Sequence, residues 1–196
     1  VYEDADVYAF VKNNGGKVAV YKENLYKPMP GYRFIASNTD RSRYYVGELN
    51  GKSSKQAYMD ALHISESNII NQTFHNPIGK MNGQDICIIS LKEVSGNGLC
   101  CYRQVNDSDV LVLLEEQDYN EILDETLQRI RRDFNHISGV FSINCVFRYL
   151  LFSQEHHMED YLKTMSTLGD HAGLIGFGEH YNQQFVNQTM TCVVFE

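Results

Sequence analysis

The sequence has no tryptophan, only three prolines, and no Cys-x-x-Cys pair among its five cysteines. No run of about 18 apolar residues occurs, so no segment is expected to cross a membrane as a helix. No basic-then-apolar leader is visible, so no secretory signal is expected. The first residue is Val1 rather than Met, which fits a piece of a longer protein. Lys and Arg number 17 against 25 Asp and Glu, for a formal net charge of −8. A nucleic-acid partner calls for a basic face that replaces phosphate counterions, so this balance argues against one.

Several signatures of chemistry are missing as well. There is no H-E-x-x-H zinc motif and no G-x-S-x-G nucleophile elbow. Gly176-Phe-Gly178-Glu179 supplies half a glycine-rich loop, but an acid follows where a phosphate site wants a lysine. These glycines are expected to allow close backbone approach in a sheet. The densest group of metal-ligand types, Glu155-His156-His157-x-Glu159, opens a predicted helix. Adjacent histidines there diverge by about 100°, so no metal and no cofactor is expected. Cys87, Cys100, Cys101, Cys145 and Cys192 are odd in number and mostly lie in apolar runs. They read as reduced structural thiols.

What is present is ordinary globular material: 196 residues, 43% hydrophobic and 12% aromatic. That suffices for one well-buried domain, 1–196, with a possible subdivision in the weakly periodic stretch 65–84. Val7, Ala9 and Val11, a break at Asn13–Gly16, then Val18 and Val20 predict a hairpin. Asn24–Gly31 reads as loop; Tyr32–Ser37 and Arg43–Leu49 read as strands. Ser53-Ser-Lys-Gln56 is a capping box for a helix ending near His63. Strands are predicted over Asp85–Val94, Leu99–Arg103 and Val110–Leu114. A second box, Asp118-x-x-Glu121, starts a helix with Ile122, Leu123, Leu127 and Ile130 on one stripe. Arg129, Arg131 and Arg132 near its end read as a solvated face that suits the helix dipole. Val140–Phe147 reads as a buried strand, 158–168 as a third helix, and 172–177 and 190–195 as closing strands. The order predicts an α+β fold of mixed, mainly antiparallel sheets with about three packed helices.

Polar residues that could do chemistry concentrate after Gly139. Arg148 is expected at the end of a buried strand, where a guanidinium must be paired by a protein or a ligand carboxylate. Glu179 follows a glycine-flanked turn, and Asn187, Thr189 and Thr191 are expected to share one strand face. Two readings stand open: an Arg148–Glu179 ion pair under a polar sheet face, or a pocket that takes a carboxylate and an amine. Cys145 is a third kind of candidate, a nucleophile, but no histidine is marked as its partner by spacing.

Gly178-Glu179 and Asn187-Gln-Thr-Met-Thr191 resemble the end of FIST sensory domains, with Val186 standing where a His is frequent. Ser142-Ile-Asn-Cys145-x-x-Arg148 is similar to the family's Cys-x-x-Arg segment, and Glu48-Leu-Asn-Gly51 with Ala57-Tyr58 to an earlier one. The resemblance covers most of the chain and is strongest after Phe141. It implies the C-terminal portion of a bacterial, cytoplasmic, non-catalytic sensory module. Its partners would be a small ligand, an amino acid among the classes implied, and a signalling output domain in the same or a partner chain. Arg148, Glu179, Asn187, Thr189, Thr191 and Cys145 are then the expected ligand-binding residues. The alternatives are an enzyme that uses Cys145 or a histidine, and an interaction module without a ligand.

Overall fold

The computed structural model describes residues 3, 8, 10–83 and 85–196. One strand from the first part of the chain and three from the last build a four-stranded sheet of β1 (Val18–Asn24), β10 (Gly139–Cys145), β11 (Asp170–Gly176) and β14 (Thr189–Phe195). The spatial order is β1-β14-β10-β11, antiparallel except for the parallel β10–β11 pair. Parallel neighbours need a crossover. Here it consists of two helices, α4 (Val146–Gln154) and α5 (Met158–Met165).

The middle of the chain forms an eight-stranded antiparallel sheet. Its members are β2 (Tyr26–Asp40), β3 (Tyr45–Leu49), β4 (Lys52–Ser53), β5 (Ile78–Asn82), β6 (Asp85–Ile89), β7 (Leu91–Ser95), β8 (Gly98–Cys101) and β9 (Val110–Glu116). The order is β6-β5-β9-β2-β3-β8-β7, with β4 on β3. Strand β2 pairs with β9 through its first part and with β3 through its second. Its register shifts between Pro28 and Arg33. The stretch 24–31 is therefore largely strand, not loop. A proline lacks the ladder N–H, but a bulge has no ladder bond for it to break.

Both N-caps form, without the reciprocal arm of a capping box among the described residues: the Gln56 side chain donates to Asp60 Oδ1 instead of reaching back. Ser53 caps α1 (Ser54–Leu62) by accepting from the Gln56 N–H, and His63 closes it in the left-handed conformation. Asp118 accepts from the Asn120 and Glu121 N–H groups at the start of α3 (Tyr119–Asp133). The stretch 65–84 holds a 3₁₀ turn (Glu66–Asn68), the single-turn α2 (Ile69–Gln72) and β5. Two core clusters result. One lies between the inner face of the four-stranded sheet and α3, α4 and α5, and includes Leu127, Ile130, Phe152, Tyr161, Met190 and Val194. The other fills the eight-stranded sheet under α1, with Leu49, Tyr58, Ile69, Leu99 and Leu113. The α+β class is as expected. The additional helices are α2, too short for a periodic signal, and α4, whose first two residues, Val146 and Phe147, fall in sequence predicted as strand.

The expected first hairpin is not formed by the described residues. Residues 10–17 carry no strand, and Val7 and Ala9 lie outside the described residues. The return arm pairs with β14 instead, Val20 opposite Val193. On the outer face of this sheet Val20, Val193, Phe141 and Ala172 align in one row, and Lys22, Thr191, Ile143 and Leu174 in the next. A hairpin unforeseen from the sequence, β12 (Glu179–Tyr181) with β13 (Gln184–Val186), follows β11. Val18, Val20, Phe141 and Leu174 remain exposed. Among the described residues no helix is long and apolar enough to cross a membrane.

Candidate functional site

Strand β10 ends at Cys145, whose extended backbone (φ −60°, ψ 140°) is the N-cap of α4. The helix begins at the next residue, so Arg148 enters the interior from the first turn of a helix, not from a strand end. Val146 and Phe147 favour strands locally. The helical signal is the spacing of Arg148, Leu151 and Phe152, the buried stripe of α4.

Arg148 is only 1% exposed. Its Nη2 donates to Glu23 Oε1 on β1, in a salt bridge with both side chains buried. The guanidinium carbon stands 4.6 Å from the Phe152 ring centre and 5.5 Å from that of Tyr161. The expected Arg148–Glu179 salt bridge is absent among the described residues, because Glu23 holds the guanidinium. Glu23 was missed because it lies 125 residues upstream. Its one signal is its phase: it alternates with Lys22 and Asn24 and shares the inner face with Tyr21. Arg148 Nε and Nη1, Glu23 Oε2, Glu179 Oε1, Gln188 Oε1 and Asn144 Oδ1 are buried without hydrogen-bond partners among the described residues.

Glu179 opens β12 and is 3% exposed. Its Oε2 accepts from Thr189 Oγ1 at 2.7 Å. Burial pushes its carboxyl up to about 7, against the opposing pull of the Thr189 hydrogen bond and the Arg148 charge. Gly178 precedes it at φ +119°. A Cβ there would lie 2.5 Å from Phe185 Cζ and 2.8 Å from Asn187 Oδ1, so this turn requires glycine.

The expected common face of Asn187, Thr189 and Thr191 is only half realised. Gln188 takes φ +54°, which breaks the alternation before β14 begins. Asn187 consequently donates toward the Ile88 carbonyl of β6 at 3.5 Å, and Gln188 Nε2 donates to the Thr73 carbonyl at 3.1 Å. Thr189 and Thr191 do lie on the outer face of β14, opposite Asn24 and Lys22 of β1. A cavity of about 220 Å³ is lined by Asn187 and Thr189 together with Lys22, Asn24, Asp85 and Ile88; Thr191 does not line it.

Cys145 is 2% exposed, and burial raises its thiol above the ordinary value. Backbone N–H groups, that of Gln188 foremost, oppose this only in part. A nucleophilic thiol needs the reverse, a lowered value in a partly open electropositive setting. On the inner face Asn144 Nδ2 donates to Tyr161 Oη at 3.0 Å, and Tyr161 Oη to Ser142 Oγ at 3.4 Å. His171 Nε2 lies 2.9 Å from the same Ser142 oxygen. Asn144 and Tyr161 carry no sequence motif, but their burial beside Arg148 makes them part of the same polar cluster. Among the described residues no three His, Cys, Asp or Glu side chains converge as a metal site.

Comparison with curated proteins and with solved structures gives no match. The FIST C domain family matches residues 55–182. That range holds Arg148, Cys145 and Glu179 and stops short of Asn187–Thr191, which carried part of the resemblance in the sequence. Since the match covers well over half of the 196 residues, the chain belongs to the FIST C domain family.

Proposed function

We propose that this protein is a non-catalytic, cytoplasmic sensory domain that binds a small polar ligand of the amino-acid class and passes the signal to an output domain in the same or a partner chain. One observation carries the reading. A fully buried guanidinium keeps two N–H-bearing nitrogens free while Glu179 and Gln188 each keep a free acceptor oxygen. Buried polar groups are ordinarily satisfied, so such a cluster calls for a partner. A ligand carboxylate suits Arg148 and a ligand amine suits Glu179 and Gln188. The cavity at Asn187 and Thr189 adjoins this cluster through the Thr189–Glu179 hydrogen bond. The buried, raised thiol of Cys145 gives the enzymatic alternative no support.

The test is a thermal-shift panel of amino acids and related acids and amines on the whole protein. A ligand at 100 times its Kd adds about 2.7 kcal/mol. For a domain of this size that raises Tm by about 5–11 °C. A shift that disappears in Arg148→Met supports the reading. A panel without any shift removes it.

A further inference from the structure

Among the described residues, the first strand of the four-stranded sheet has one edge without a partner strand. β1 pairs with β14 on one side and stands at the end of the strand order. The Lys17 carbonyl accepts from the Glu196 N–H, which fixes the phase of that ladder. In an antiparallel pair alternate residues turn both backbone groups to the same side. Ala19, Tyr21 and Glu23 therefore face β14, while Val18, Val20 and Lys22 direct N–H and C=O to the open side. Arg129 shows this directly: its Nη2 donates to the Lys22 carbonyl at 3.1 Å from α3.

A groove of about 480 Å³ lies at the far end of this edge, between the last three residues of β1 and the flank of α3. Its walls include Lys22, Ile122, Glu125, Arg129 and Arg132. The Glu23 carboxylate is committed to Arg148 and does not neutralise the groove. Arg129 and Arg132 thus outnumber the one free acid there, Glu125, in a protein whose net charge is −8, while Lys22 Nζ is held on the outer face by Gln184 Oε1 at 2.9 Å. On the other side of the same edge Val18 and Val20 are 45% and 46% exposed.

We propose that the β1 edge accepts an extended segment of a partner protein as a fifth strand, and that this segment alternates acidic and apolar residues. Successive residues of a strand point to opposite faces. One set lies beside Val18 and Val20 and continues the apolar row of the outer face. The other set turns toward α3 and meets Arg129 and Arg132, where carboxylates replace the Lys22 carbonyl as the Arg129 acceptor. The backbone ladder supplies affinity and the alternate side chains supply specificity, the division of labour in strand addition. Natural edges of this length are normally blunted by charge, proline or a covering element. Among the described residues, Arg129 caps the Lys22 carbonyl of this edge.

The test titrates the whole protein with a capped nine-residue peptide that alternates valine and glutamate. Controls are a peptide of the same composition in two blocks and one with lysine in place of glutamate. The alternating acidic peptide is expected to bind alone, and more weakly as salt is raised. Val20→Pro deletes an N–H on the open side and leaves the β14 ladder intact, so it should weaken binding about fivefold or more with little change in Tm. Arg129→Glu with Arg132→Glu, both at exposed positions, should transfer the preference to the lysine peptide. Equal binding of the block peptide, unchanged binding by Val20→Pro, or no binding of the alternating peptide overturns the proposal. A dimer in sedimentation that the peptide cannot displace assigns the edge to a second copy instead.

Discussion

Replacing Arg148 by methionine isolates the buried ion pair. Methionine keeps most of the side-chain length and the contact with Phe152 and Tyr161, but removes the charge. Glu23, whose side chain is 0% exposed, then has no counterion. Removal of one partner from a buried pair costs about 3–5 kcal/mol, because the remaining charge stays desolvated and uncompensated. Against a total stability of about 5–15 kcal/mol that is a large loss. At about 2–4 °C per kcal/mol it lowers Tm by about 6–20 °C. Adding Glu23→Leu should return most of the loss, since an apolar pair of similar volume is often as stable as the ions it replaces. Urea denaturation of the wild type, both single variants and the double variant at pH 7 measures this cycle. A single Arg148→Met loss below about 1 kcal/mol, or a double variant no more stable than the single, refutes the reasoning.

Three further outcomes follow from the same site. The Glu179 carboxyl is raised from 4.5 to about 7, so the folded state binds its proton more tightly than the unfolded one. The stability this contributes is complete below about 4.5 and is lost as pH rises through about 7. Glu179→Gln should flatten the profile between those values and gain on wild type above them; parallel urea profiles from pH 4 to 8 would contradict the burial argument. Gly178→Ala puts a Cβ 2.5 Å from Phe185 at a positive φ and displaces Asn187. A loss of about 1–3 kcal/mol is expected, together with loss of any ligand-induced thermal shift; an unchanged Tm counts against it. Iodoacetamide at neutral pH should label half-buried Cys87 well before buried Cys145, read by peptide mass spectrometry, and the opposite order would revive a reactive Cys145.

Elements specified locally were legible in the sequence. The boxes at Ser53 and Asp118, and the stripe of Leu123, Leu127 and Ile130, gave α1 and α3 because capping and helical period act within a few residues. Interactions set by tertiary context were not. Val146-Phe147 has strand propensity, yet the chain turns helical there so that Arg148, Leu151 and Phe152 face the core together. The three-residue arms of the β12–β13 hairpin are too short for a period-two signal. Of the expected site residues, Arg148, Glu179 and Thr189 belong to one buried polar neighbourhood. The partner Glu23 lies too far along the chain for any motif to link it to them. The positive φ of Gln188, which diverts Asn187 to β6, is likewise invisible to a residue count.

The position of β14 has a consequence for biogenesis. The eight-stranded sheet is drawn from one continuous stretch, Tyr26 to Glu116, so all its partners leave the ribosome together. The four-stranded sheet has β14 at its centre, between β1 and β10, and β14 is synthesised after every other described strand. The 80 residues from 117 to 196 take about 4–16 s at ordinary elongation rates, and throughout that time β1 waits without its neighbour. Glu23 and Arg148 are thus both made well before the strand that seals them from water. The ion pair closes last, and a nascent chain stalled before Thr189 would present a solvated carboxylate and guanidinium to the chaperones that greet it.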